Sequence, residues 1–394
     1  MLKPEPIRTD ASNAFANNTM KRRLPAIIDE TIDLNADYTA GIRANLKRLR
    51  DDIANGKAIT ALDRSAADYE LWLRALQAQQ AKVGGDLTWH HAEWFFAETY
   101  AYRRLIAAVR WHESGRDPFL PKKRAELQGA ALWHLLERAL QPVGGAEEEL
   151  MAAIALALWA NRIDLSYAAS MARGTDIAPD DLLVDNRPQL LDYLRQSQGG
   201  GLKAEGTVYI IADNAGSELA MDLVLTDCLL RHTAWRVALC LKAHPTFVSD
   251  AIPQDVWLML AEMKKRSQAS RELARRLNAA WEAERLRFVP HPFWNSSSFL
   301  WELPPIMRDL LNTARLLIVK GDANYRRAVG DCLWAVDTSF AAVLSYLDAP
   351  VLCLRTLKSD PIVGLPSAAM AAQLNHADAN WRSNGKRGLI QFKP

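Results

Sequence analysis

Apolar and polar positions follow two different rhythms along this chain. Up to about residue 200 apolar residues recur at helical spacing within stretches rich in Ala, Leu, Arg, Glu and Gln, as in "ELWLRALQAQQAKV" (70–83), "HAEWFFAETYAYRRLIAAVRW" (91–111) and "AALWHLLERAL" (130–140). "RQSQGGGLKAEG" (195–206) interrupts the pattern with three adjacent glycines and no apolar anchor, so it reads as a linker. Its Gly199–Lys203 segment is no phosphate loop, because the glycines precede the next strand instead of following it. Beyond it, short β-type runs alternate with helical ones: "TVYIIAD" (207–213), "WRVALCLKA" (235–243), "RLRFVP" (285–290), "RLLIVKG" (315–321) and "VLCLRTL" (351–357), with "GLIQF" near the end as an edge strand. This alternation predicts an α/β domain with a mainly parallel sheet over 201–394, preceded by a helical domain over 1–200.

In such sheets ligands bind beyond the carboxyl ends of the strands, so the residues that follow each run are compared together. The first run delivers Asp213 and Asn214 and then Gly216; the second leads to Asp250, the fourth to "KGDANYRR" and the fifth to "RTLKSD". Taken singly, each has an ordinary role as a helix cap, turn former or solvated charge. Together they place two carboxylates and an amide oxygen, with no Cys or His, on one edge of one sheet. That donor set suits a hard divalent ion such as Mg²⁺ or Mn²⁺. Gly216 would let the following helix begin close to the ion. Arg326 and Lys358 add positive charge fit for a phosphate, which makes metal-assisted phosphoester hydrolysis the leading chemistry.

Composition narrows the field. The 394 residues are 49% hydrophobic and 24% charged, an ordinary globular balance, and the net charge of +2 provides no general field for nucleic acid or an anionic membrane. The amino terminus "MLKPEPIRTDASNAF" lacks an apolar leader core, and "MAAIALALWA" (151–160) is too short to span a bilayer. Cys228, Cys240, Cys332 and Cys353 form no CxxC or Cys/His spacing, which fits a reducing cytoplasm without a zinc module. His244 and His291, each beside a proline, read as structural.

"DNAGSE", "FVSD", "KGDANYRR" and "RTLK" (355–358), in this order, resemble the metal-dependent damage-control phosphatases, in particular the subfamily marked by an RTxK motif. "KRRLPAII", "WFFAETYAYRR", "LWANRIDLS" and "WRSNGKRGLIQF" extend the resemblance over most of the chain. It implies a three-layer α/β/α Rossmann-like sandwich with an N-terminal helical domain forming the lid side of the pocket. It also implies metal ligands Asp213, Asn214 and Asp250, with Mn²⁺, Co²⁺ or Ni²⁺ preferred. Substrate contacts would come from Asp213, Asn214, Asp322, Ala323, Asn324, Tyr325, Arg326 and Lys358, and catalytic roles would fall to Asp322 and Asp250. The implied substrates are small phosphorylated metabolites, among them sugar phosphates such as fructose 1-phosphate.

Two other functions compete. A relative has been described as a carboxyl methyltransferase using S-adenosylmethionine, an account that gives Glu218 a cofactor contact; a glycine-rich turn after the first strand would be needed, and Asp213 and Asn214 crowd it. A non-catalytic sugar-phosphate binder would gain nothing from Asp322 beside an anionic phosphate. Asn161 and Asp164, with Glu98, Tyr102 and Arg103, are candidates for lid contacts or for hydrogen bonds between the two halves. Oligomeric state is not legible.

Overall fold

The computed structural model describes residues 3–160, 181–196 and 205–394. Asn161, Asp164 and the Gly199–Lys203 segment lie outside the described residues. Seven strands form one sheet: β1 (Leu182–Asp185), β2 (Thr207–Ile211), β3 (Arg236–Lys242), β4 (Leu286–His291), β5 (Leu316–Lys320), β6 (Val351–Thr356) and β7 (Gly388–Lys393), in the spatial order β1-β7-β6-β5-β2-β3-β4. The five strands from β6 to β4 are parallel to their neighbours, while β7 runs antiparallel to β6 and parallel to β1.

Helices cover both faces, which explains the near-continuous apolar runs of the central strands. Along β2, Val208 and Ile210 face a core shared with helices Ser217–His232, Pro253–Met263 and Gln268–Glu282, whereas Tyr209 and Ile211 face a second core containing Trp294, Tyr325, Leu344 and Trp381. The result is the expected three-layer α/β/α sandwich. A third core, spanning Met20 to Phe119, belongs to the N-terminal helices alone and is touched by Phe247 and Val248 from the loop after β3.

Two features differ from the sequence expectation. "GLIQF" is an interior strand, because β1 pairs with its far side and takes the sheet edge. Helices Ala130–Ala139 and Ala146–Trp159 precede residue 200, yet their apolar faces, including Leu132, Leu136, Ile154 and Trp159, join the core against the sheet. No helix among the described residues is long and apolar enough to cross a membrane.

Strands β3 and β4 lie to one side of β2, and β5 and β6 to the other. The carboxyl ends of β2 and β5 therefore flank the point where the chain reverses its winding direction, the usual crevice for a ligand in an open parallel sheet. The site is built there.

Candidate active site

Backbone pairing brings the loops after β2 and β3 together. Ala251 N–H donates to Asp213 O at 2.8 Å and Ala215 N–H to Ser249 O at 2.6 Å, with an antiparallel bridge between Asn214 and Asp250. To make this approach the β3 loop carries Phe247 and Val248 at φ of 47° and 69°. A β-branched residue at positive φ is strained, and its cost is borne where the loop must aim Ser249 and Asp250.

The side chains converge accordingly. Asn214 Nδ2 donates to Asp213 Oδ2 at 3.0 Å and to Glu218 Oε1 at 2.9 Å, while its Oδ1 accepts from Ser249 Oγ at 2.6 Å. Asp213 and Asp250 are buried. Burial, followed by the charges of Glu218 and Asp250, raises the Asp213 carboxyl well above its usual range despite Lys358 and Lys242. Burial likewise pushes Asp250 up to about 6 against the pull of Lys242. Asp250 Oδ2 has no hydrogen bond among the described residues, although Lys242 Nζ lies 3.3 Å away.

Three buried carboxyl groups thus share one crevice, and Asp250 Oδ2 meets only the Lys242 ammonium at 3.3 Å, with no hydrogen bond among the described residues. A divalent cation would give these groups a shared partner, and the all-oxygen donors Asp213, Asn214 and Asp250 fit a hard or borderline ion.

The surrounding frame is cationic. Lys242, at the end of β3, reaches both Asp250 and Asn324 Oδ1 (3.3 Å). Lys123, from the helix Leu120–Gln128, donates to Asp250 O at 3.1 Å, to Asp117 at 3.0 Å and to Asp255 at 2.7 Å, pinning the loop after β3 to the N-terminal helices. Lys320, at the end of β5, pairs with buried Asp222 at 3.0 Å. These lysines, Ser249 and Gly321 escaped the sequence reading. A charged residue closing an otherwise apolar strand, as in "LCLK" and "LLIVK", was the available signal.

Residues Gly321–Val329 form a helix, so the stretch Asp322–Arg326 points in several directions. Only Asp322 and Ala323 keep part of their surface. Asn324 Nδ2 donates to Ala212 O and Lys320 O, both at 2.9 Å, and holds β2 to β5. The Tyr325 hydroxyl accepts from Val363 N–H at 3.2 Å. Arg326 is buried and fully engaged within the protein, bonded to Asp331 (2.7 and 3.0 Å) and Glu98 (2.7 Å) and stacked on Trp94 with its guanidinium carbon 3.7 Å from the ring centre. Glu98 thereby becomes a tie between the helical part and the sheet, and Arg103 pairs with Asp68 instead of facing the crevice.

Asp322 is tied to the RTLK segment by hydrogen bonds. Its Oδ1 accepts from Arg355 Nε at 2.9 Å and from Lys358 N–H at 3.1 Å. Burial would raise this carboxyl, but Arg355 and then Arg326 outweigh it and hold it below its usual value. The Lys358 ammonium makes no hydrogen bond or ion pair among the described residues, while its charge acts on Asp213. Gly216 is at φ 69° where the helix Ser217–His232 begins, and a β-carbon there would also stand 2.1 Å from Glu126 Oε2, whose carboxylate accepts from Ser217 N and Oγ, both at 2.8 Å. A cleft of about 640 Å³, lined in part by Arg23, Tyr102, Lys122, Lys123 and Ser249, opens beside the cluster between the N-terminal helices and the β3 loop.

An α/β/α sandwich with an acidic cluster at its switch point, bordered by lysines and facing a cleft, is the construction of an enzyme that handles an anionic substrate. The model of the damage-control phosphatase ARMT1-like domain matches residues 19–374, and the chain belongs to that family. Damage-control phosphatase ARMT1 of Danio rerio is 30% identical over 443 residues, covering 100% of this chain and 97% of that protein. The Homo sapiens protein of the same name is 28% identical over 428 residues, with 96% of each covered. A DUF89 family protein of known structure from Pyrococcus horikoshii shares the fold, with a TM-score of 0.51 at 14% identity over 96% of this chain and 98% of that one. The chain is thus an enzyme of the phosphatase class.

Proposed function

We propose that this enzyme hydrolyses phosphomonoesters of small metabolites, sugar phosphates first among them, with a divalent ion held by Asp213, Asn214 and Asp250. The observation that carries the reading is the buried carboxyl cluster at the switch point, beside Lys358, whose ammonium has no partner among the described residues. Mg²⁺ and Mn²⁺ suit these oxygen donors on chemical grounds, and Co²⁺ and Ni²⁺ are the further ions that the family resemblance implies. The ion would neutralise phosphoryl oxygens and lower the pKa of a bound water.

The chain's own residues do the rest. Lys358 binds the phosphoryl group as a point charge. Asp322 orients Lys358 and Arg355; a carboxylate so firmly held as an anion is a poor proton donor, so its part in turnover is to keep the RTLK segment in place. Lys242 and Lys123 hold Asp250 and its loop. The cleft volume lies within the usual range for a small-molecule pocket of ~300–1,000 Å³; exposed Arg23 on its wall can meet an anionic or hydroxylated ligand, while Lys122 beside it pairs with Glu30. A methyl-transfer reading finds no support in the turn after β2, which Asp213 and Asn214 fill and whose Glu218 is bonded to Asn214.

The test is phosphate release from a panel of sugar phosphates by chelator-stripped protein, alone and with each ion restored. Activity should vanish and return. Full activity in protein shown by elemental analysis to be metal-free would overturn the proposal.

A further inference from the structure

A second cluster lies far from the switch point along the helix Ser217–His232. Cys228 and His232 stand four residues apart near its carboxyl end and so share one face. Glu149, in the first turn of Ala146–Trp159, reaches that face, with Oε2 2.7 Å from His232 Nε2. One ligand atom from each of Glu149, Cys228 and His232 falls within 4.8 Å of the others. The helix ends reinforce the grouping: an amino end favours the Glu149 carboxylate, and a carboxyl end favours a cation. Cys228 is buried, but the side chains of His232 and Glu149 are 27% and 32% exposed, so an ion has a way in. Glu149 also lines a separate cleft of about 400 Å³ with Arg138, Gln141 and Pro142.

We propose that Glu149, Cys228 and His232 form a second metal site, selective for a thiophilic divalent cation such as Zn²⁺ and distinct from the oxygen-only site of Asp213, Asn214 and Asp250. Thiolate, imidazole and carboxylate are the donors that zinc accepts in tetrahedral sites, and three protein ligands leave the fourth position open. Zinc bonds of roughly 2.0–2.3 Å set ligand atoms about 3–4 Å apart, so Glu149 and His232, now 2.7 Å apart, must separate, and Arg231, whose Nη1 lies 3.2 Å from both Glu149 Oε2 and His232 Nε2, must withdraw. Burial pushes the Cys228 thiol up to about 12, so the entering ion must displace its proton. In balance, the thiol loses H⁺ as the metal–sulfur bond forms, and no electrons are exchanged. The Glu149–His232 hydrogen bond is replaced by two ligand bonds. Arg231 now pairs with both Glu149 and Asp227, and it retains Asp227 at 2.9 Å.

Co²⁺ titration of the full-length, chelator-stripped protein separates the two sites, because only a cysteine can give a near-ultraviolet thiolate-to-cobalt charge-transfer band. The band should appear in wild type and in Asp213→Ala, and disappear in Cys228→Ser and in His232→Gln; the latter leaves the buried cysteine in place should Cys228→Ser fail to fold. One equivalent of Zn²⁺ should remove it. Absence of the band in wild type, or its persistence in both cluster variants, would overturn the proposal. Because the readout is independent of phosphate release, failure here leaves the phosphatase reading untouched.

Discussion

A β-carbon placed on Gly321 would lie 2.0 Å from Asp213 Oδ2. The first residue after β5 is therefore bare so that the carboxylate beyond β2 can occupy the crevice, and its φ of 80° belongs to the region that glycine tolerates best. Gly321→Ala should displace Asp213 and add left-handed strain of ~1–2 kcal/mol. The strain is shared by the free and metal-bound protein and lowers stability, whereas displacement of Asp213 should weaken Mn²⁺ binding, by about tenfold for each 1.4 kcal/mol of lost contact as read by calorimetry. Undiminished binding would show that Asp213 does not depend on this close approach.

The same pair shows what was legible in the sequence. Asp213, Asp250 and Asp322 could be grouped from sequence because parallel strands deliver their carboxyl ends to one edge, which needs only the order of apolar runs. Gly321 could not be assigned, since its reason is a side chain from another strand. The same holds for Lys123, whose partners Asp250 and Asp255 lie 127 and 132 residues away. Arg326 was misleading for a related reason: contiguity with Asp322 suggested a shared target, but the segment is helical and turns Arg326 toward Asp331 and Glu98. In the fold, β2 to β6 announce themselves as apolar runs covered on both faces. The four-residue β1, with only Leu183 buried, has no such signature, and without it β7 reads as an edge.

Asp322 and Arg355 form a pair whose side chains are 14% and 0% exposed. Asp322→Asn removes the charge opposite a buried guanidinium, and breaking such a pair from one side costs about 3–5 kcal/mol. Ser359 and Pro361 carbonyls still hold Arg355, which favours the lower end of that range. Turnover should fall as Lys358 loses its orientation, by up to the ~10- to 150-fold that removal of the Lys358 contact itself would cost. Steady-state rates and urea unfolding on one preparation check both; near-normal turnover would remove Asp322 from the site's working parts.

Arg326 should behave as structure. Arg326→Lys cannot reproduce a guanidinium that bonds Asp331 and Glu98 together while lying on Trp94. The variant should lose about 1.5–3 kcal/mol of stability for each charged hydrogen bond it fails to remake, whereas the KM of the folded fraction stays near wild type. A raised KM with unchanged unfolding would return Arg326 to the substrate.

His244 is buried with its Nδ1 near Pro245 O and Asn295 Nδ2, and burial holds its pKa down to about 4 from an ordinary 6.5. Between those two values the unfolded chain binds a proton that the folded chain refuses, so stability falls as pH drops from 6.5 toward 4. The loss should be on the order of 2–3 kcal/mol. Urea unfolding of wild type and His244→Gln at neutral and acidic pH isolates it as the change in their difference. A difference independent of pH would mean that the folded protein accepts the proton.

Lys358 separates substrate binding from metal binding. Its backbone is fixed by Asp322, yet its ammonium has no partner among the described residues, and its charge lowers the Asp213 carboxyl. A cation arranged in this way is available to a phosphate arriving at the crevice, and it is not a donor that a metal ion would accept. Lys358→Ala should therefore leave Mn²⁺ content unchanged, with at most a small rise in the Asp213 pKa. A charged hydrogen bond is worth about 1.5–3 kcal/mol, which is ~10- to 150-fold in kcat/KM. If the contact is made equally in substrate and transition state, KM alone rises; if it strengthens as charge moves during transfer, kcat falls as well. Either pattern keeps Lys358 on the substrate, whereas metal loss with intact substrate affinity would place it on the metal side.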